Sequence, residues 1–323
     1  MMARLRIVSF ATACLACFAA TAATALDYPT RPVRIVVGYA PGGAADLVAR
    51  LAGQSLSERI GQPFVVENRP GAGTNIATDA VAKAAPDGYT LLLISAANAI
   101  NATLYDKLPF NFIRDIAPVA TLGREPNVVA VHPSVPAATL PDFIAYVRAN
   151  PGKVTMASGG VGAASHMSGE MLMMLTGISM VHVPYRGAAP ALGDLLGGQV
   201  QLYIAPMSSA IEYIRSQKIR ALAVTLMQRS AVLPDVPAVS GFIADYEASQ
   251  WYGIGVPRNT PAEIVDKLSS EIDAAVADPK FKAKLADLGE AALVSSTAQF
   301  RKLIADETER WGKVVKFSGA KAD

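Results

Sequence analysis

The sequence predicts an α/β protein with two lobes around one cleft, and three observations support this. Strand, glycine-rich loop and helix follow one another at a spacing of about 30 residues, that of a βαβ unit in a parallel sheet. The same succession starts again in the middle of the chain. No low-complexity linker separates the two runs, so they read as lobes facing one cleft. The length of 323 residues fits two domains of about 150 residues each.

The first run opens with Val33-Arg34-Ile35-Val36-Val37, a β-branched strand. The loop Gly38 to Ala45 follows, and a helix starts near Asp46, a residue type favoured at N-caps. Val48, Ala52, Leu56 and Ile60 line one face of that helix, and Gly61 stops it. Phe64-Val65-Val66 is the next strand and runs into Arg69-Pro70-Gly71-Ala72-Gly73-Thr74-Asn75 and a helix through Ala80. Tyr89 to Ile94 is the third strand.

In the second run, Val154 to Ala157 is a strand, followed by the loop Ser158 to Ser165 and a helix whose Met167, Met171 and Met174 fill core. Val181-His182-Val183 leads through Tyr185-Arg186-Gly187 into a helix toward Leu196. Val200 to Ile204 and Ala221 to Thr225 are further strands. The remainder is mostly helical, with capping boxes at Thr260-Pro261-Ala262-Glu263 and Ser296-Thr297-Ala298-Gln299. Short apolar strands near Asn127–Val131 and Trp251–Val256 mark the crossings between lobes. The expected lobes are residues 26–126 with 254–323, and residues 127–253.

The N-terminus has the layout of a secretory signal peptide. Arg4 and Arg6 precede an apolar run from Ile7 to Ala20, and Ala23-Thr24-Ala25 is a small-x-small cleavage site. An uncleaved anchor is the competing reading, but the run falls short of the roughly 20 residues that span a bilayer. Cleavage after Ala25 leaves 298 residues and removes both cysteines, Cys14 and Cys17. The exported chain then has no thiol or disulfide, which a core of this size does not need. The formal charge of +2 loses two Arg and no acid with the signal, leaving a neutral chain. Neutrality without a charged block argues against nucleic acid as a partner.

Chemistry concentrates in loops. Tyr39, Ala40, Gly42, Gly43, Ala44 and Asp46 lie between a strand and a helix start, where free N–H groups and the helix dipole favour an anion. An ordinary βα turn is the competing reading. Ser158, Gly162, Ala163, Ala164, Ser165 and His166 belong to a second such loop, which lacks the Lys of a phosphate-binding motif. Ser95 and Asn98 sit at the carboxyl end of the third strand, where open α/β sheets bind ligands, although N-capping would equally place them there. Tyr185, Arg186 and Gly187 follow another strand, and Arg186 could pair with a ligand carboxylate.

Enzyme readings are weak. With three histidines, no Gly-x-Ser-x-Gly elbow and no metal-ligand spacing, only His166 with Ser165 could serve a periplasmic hydrolase or isomerase. No cofactor or metal is expected.

Read in order, the loops resemble the extracytoplasmic solute receptors of the tripartite tricarboxylate transporter family, the Bug-type receptors. The matching segments are Tyr28-Pro29-Thr30-Arg31-Pro32, Ala40-Pro41-Gly42-Gly43, Glu67-Asn68-Arg69-Pro70-Gly71-Ala72-Gly73, Pro86-Asp87-Gly88-Tyr89-Thr90-Leu91, Val183-Pro184-Tyr185-Arg186-Gly187, Leu233-Pro234-Asp235-Val236-Pro237 and Trp251-Tyr252-Gly253. The resemblance implies a type II-like periplasmic-binding fold that closes like a flytrap. It also implies a small carboxylate ligand (a di- or tricarboxylate, amino acid or aromatic acid), a monomer, and the permease subunits of a tripartite transporter as partners. It places the ligand carboxylate on the loops 40–45 and 160–165. A sensor for a signalling receptor would carry the same sequence features. Ala238, Ser240 and Gln201 depart from the family pattern, and the apolar loop Gly160-Val161-Gly162-Ala163-Ala164 suits a less polar acid.

Overall fold

The computed structural model describes residues 27–322 apart from Ala231, so the expected signal peptide at 1–25 lies outside the described residues. β1 (Val33–Val37) leads into α1 (Ala44–Ile60), β2 (Phe64–Asn68), α2 (Asn75–Ala82), β3 (Thr90–Ser95), α3 (Ala96–Leu104), α4 (Phe112–Asp115) and β4 (Ile116–Glu125). After Pro126 come β5 (Asn127–Val131), α5 (Leu140–Ala149), β6 (Thr155–Ser158), α6 (Ala164–Thr176), β7 (Val181–Pro184), α7 (Ala188–Leu196), β8 (Leu202–Pro206), α8 (Met207–Arg215) and β9 (Arg220–Val224). β10 (Gln250–Pro257), α9 (Ala262–Ala277), α10 (Pro279–Asp287), β11 (Ala291–Ala292) and α11 (Thr297–Ser318) follow.

The strands form two sheets, ordered β11-β4-β10-β3-β1-β2 and β7-β6-β8-β5-β9. β1 pairs in parallel with β2 and β3, and β6 with β7 and β8. The chain passes from one sheet to the other at Pro126, between β4 and β5. The return differs from the expectation: β10 pairs with β4 from Gln250↔Glu125 to Pro257↔Ile116, so residues 250–253 stand in the first sheet and the crossing precedes them. An apolar run carries no mark of which sheet it joins. Its glycines do fit this neighbourhood, since a Cβ on Gly253 would lie 2.4 Å from Phe300 Cζ and one on Gly255 2.5 Å from Ile94 Cδ1.

Strands covered by helices on both faces bury every side chain, and Leu91, Leu92, Leu93 and Ile94 in β3 are all buried. α11 joins the lobes. Its Phe300, Trp311, Val314 and Val315 share one apolar cluster with Ile94 of the first sheet and Val129, Met156 and Met171 on the second-sheet side. The buried Glu307 accepts hydrogen bonds from Trp251 Nε1 at 3.2 Å and Trp311 Nε1 at 2.8 Å, tying α11 to β10. Ser296 and Gln299 form the expected capping box. Thr260 does not cap α9: its hydroxyl donates to the Pro257 carbonyl, and Pro261 occupies the N-cap position.

Candidate functional site

A cleft of about 950 Å³ opens between the sheets, with walls from both. The first sheet contributes Tyr39, Ala40, Gly43 and Ala44 from the loop after β1. The second contributes Gly162, Ala163, Ala164 and Ser165 after β6, and Arg186 and Gly187 after β7. These are ten of the residues anticipated from sequence.

Among the helices that begin at this cleft, α1, α6 and α7 have no side-chain cap. Gly43 precedes α1, Ala163 precedes α6 and Gly187 precedes α7, and none supplies an acceptor to the first-turn N–H groups. Elsewhere the chain does supply one: Thr139 with Asp142 caps α5 and Ser296 with Gln299 caps α11. Orphan N–H groups and the positive ends of three helix dipoles therefore face a common space, which suits an anion. The exposed Arg186 adds a full positive charge at the rim.

The loops owe their shape to residues behind the cleft wall. Gly42 and Asp46 do not line it. Asp46 is buried, accepting from Gly42 N–H at 2.9 Å, Arg50 Nε at 2.9 Å and Asn68 Nδ2 at 2.8 Å. Burial would raise its carboxyl, but these donors outweigh burial and hold it below the ordinary carboxylate range. The helix accordingly starts at Ala44, and Asp46 in its first turn reaches back to brace the loop rather than serving as N-cap.

Ser158, His166 and Tyr185 also stand behind the wall. His166 Nδ1 accepts from Gly162 N–H at 3.2 Å, its Nε2 lies 3.3 Å from Glu170 Oε1, and its ring stacks on His182 with centroids 3.7 Å apart. Ser158 Oγ shares a 2.6 Å hydrogen bond with His182 Nε2. Burial, and secondarily the His166 ring, push His182 down to about 4. Tyr185 donates to Asp194 Oδ2. Ser95 and Asn98 form the capping box of α3, Ser95 Oγ meeting the Tyr39 hydroxyl at 2.8 Å and Asn98 Nδ2 donating to Thr78 Oγ1 at 2.8 Å. Capping thus accounts for both.

The floor went unread in the sequence. Glu125, Ser208, Gln250 and Tyr252 line it, drawn from the end of β4, the start of α8 and the start of β10. Glu125 Oε1 accepts from Ser208 N–H at 3.1 Å and from Ser208 Oγ. Burial raises Glu125, and the two Ser208 hydrogen bonds oppose that rise. Behind it, buried Glu290 is pushed up to about 9 by burial and by the charge of Glu125. The one signal available beforehand was an acid, Glu125, closing an apolar strand beside Pro126.

Comparison with known proteins agrees with this architecture. The description "Tripartite tricarboxylate transporter family receptor" belongs to the family whose model matches residues 48–319. Protein BugT of Bordetella pertussis is 37% identical over 297 residues, covering 91% of each chain. The solved structure of R. palustris Rpa4515 with adipate superposes with a TM-score of 0.80 at 34% identity, covering 91% of this chain and 99% of that one. MatC from Rhodopseudomonas palustris with bound malate gives 0.76 at 32% identity, covering 89% and 100%. With its fold, its cleft and these similarities in accord, the chain belongs to the tripartite tricarboxylate transporter receptor family.

Proposed function

We propose that this protein is a periplasmic receptor that captures a small carboxylate between its lobes and delivers it to the permease subunits of a tripartite transporter. The observation that carries this reading is the convergence of three helix N-termini without side-chain caps on one cleft. A ligand carboxylate would satisfy N–H groups that the chain's own side chains leave open, and so favour the closed arrangement in proportion to its preference for it. The names of the relatives support the ligand class, since similar structures hold adipate and malate.

The finer parts of the reading belong to the same proposal. The binding set is the loop residues Tyr39, Ala40, Gly43 and Ala44 with Gly162 to Ser165, Arg186 and Gly187. The closing units are residues 26–126 with 250–323 against residues 127–249, the boundary that the pairing of β10 with β4 sets; the mature chain starts after Ala25, and the protein acts as a monomer. It performs no catalysis: His166 Nδ1 is occupied by Gly162 N–H, and Ser165 Oγ accepts from Gly159 N–H at 3.0 Å, so the pair a hydrolase would need is engaged in holding the loop.

The test is the melting temperature of refolded, dialysed protein against dicarboxylates, tricarboxylates, amino acids and aromatic acids. A dose-dependent rise for one acid, recovered unchanged, is the expected outcome. No rise with any acid removes the carboxylate assignment, and recovery of a converted product makes the protein an enzyme.

A further inference from the structure

Another helix, α8, starts at the cleft, and its N-terminus is already occupied. The first turn of α8 gives its Ser208 N–H and Oγ to Glu125 Oε1, so a carboxylate of the chain itself sits at this helix end. Glu125 is 2% exposed, yet it lines the cleft, and its second oxygen, Oε2, takes no hydrogen bond from any described residue. Gln250 stands opposite Glu125 in the β4–β10 register and also lines the cleft. Its Oε1 is buried without a partner among the described residues. Glu125 Oε2 and Gln250 Oε1 therefore meet the cleft floor without a hydrogen bond among the described residues, beside the Tyr39 and Tyr252 hydroxyls that neighbour the Gln250 side chain.

Glu290, 4% exposed and with neither oxygen hydrogen-bonded among the described residues, lies behind Glu125. The two acids differ in support. Glu125 has two donors and a helix N-terminus, all of which favour its charged form, while Glu290 has none. Burial raises both acids, but only Glu125 has donors that oppose the rise, so the geometry places the negative charge of the pair on Glu125 and the proton on Glu290, which is pushed up to about 9.

We propose that Glu125 is the specificity-determining residue of the cleft: the ligand is a carboxylate whose far end carries a hydrogen-bond donor, such as an ammonium or hydroxyl group, and an unsubstituted dicarboxylate is disfavoured. This rests on the reading that the cleft captures a carboxylate. The open helix ends take the carboxylate, and the far end meets Glu125 Oε2 and Gln250 Oε1. A donor there satisfies two buried acceptors. A second carboxylate brings like charges together and leaves both acceptors unpaired, the situation in which a polar site discriminates most strongly.

The experiment is calorimetric titration of the purified, ligand-stripped protein with chain-matched acids of four, five and six carbons: the dicarboxylate, the ω-hydroxy acid and the ω-amino acid. The ω-amino or ω-hydroxy acid should bind more tightly than the dicarboxylate of the same length, by about tenfold or more. In Glu125→Gln, whose amide can donate to a carboxylate, that preference should shrink by about tenfold or reverse. Equal or tighter binding of the dicarboxylates to the wild type overturns the proposal, as does an unchanged preference in Glu125→Gln. If that variant does not fold, the wild-type comparison decides alone. If aromatic acids bind and none of the matched acids does, the role of Glu125 is refuted while carboxylate capture stands. If no acid binds, capture itself falls.

Discussion

Gly162 shows how much one side chain can decide. Its φ of +76° is strained for any residue with a Cβ, and a Cβ there would lie 2.3 Å from Leu104 Cδ2 at the end of α3, across the cleft. Gly162→Ala should cost about 1–3 kcal/mol through the backbone. It should also push the 158–165 loop off the opposite wall, so the affinity for the ligand should fall by more than stability does. Calorimetric titration beside a urea melt separates the two, and equal losses would contradict this. His182 gives a pH prediction at the same scale. Its ring is held down to about 4 from an ordinary 6.5, so between these values the unfolded chain takes up a proton that the folded one refuses. Its stabilising contribution is present above 6.5 and is lost as pH falls toward 4. The melting temperature should drop across that window, and the drop should be smaller in His182→Gln; an identical slope would show that other groups cause it. At this scale the sequence marked residue types better than roles. Asp46 and His166 were both visible in candidate loops, but whether such a side chain points at a ligand or back at its own loop depends, beyond Arg50 and Glu170 one helical turn away, on Asn68 and His182, which only the fold brings near.

Periodicity made the helices legible, and their ends were harder to place. The capping box at Ser296 appears as written because all its partners are local. Thr260 has the same local signature but bonds to Pro257. α1 begins before Asp46 since the loop glycines let the backbone turn earlier. The packing of α6 on β6 gives a stability prediction: a Cβ on Gly169 would fall 1.8 Å from Met156 Sδ, so the helix lies on its strand at a separation that glycine permits. Gly169→Ala should destabilise the protein by about 1–3 kcal/mol, through overpacking that a flexible methionine relieves only in part. A urea midpoint unchanged from wild type would mean that Met156 moves aside freely.

Across the whole molecule, the two-sheet plan could be read from the repeated strand-loop-helix units, but the cleft floor could not. Glu125, Ser208 and Gln250 are far apart along the chain and meet only because β10 returns beside β4. The buried acid pair they frame has a consequence for the complete fold. Glu290 is raised from 4.5 to about 9, so above pH 4.5 the unfolded chain loses a proton that the folded one retains. That contribution to stability is fully present below 4.5 and is lost as pH rises toward 9. Glu290→Gln should flatten the alkaline fall of the melting temperature, and a fall as steep as in the wild type would place the cause elsewhere. The sheet order has a consequence in time as well. β10, residues 250–257, lies between β3 and β4, while the second sheet is complete once residue 224 has been made. On a chain emerging N-terminus first, the later-encoded lobe can therefore complete its sheet while the earlier one waits with the facing edges of β3 and β4 unpaired, an interval in which those edges are open to misplaced partners and to chaperones.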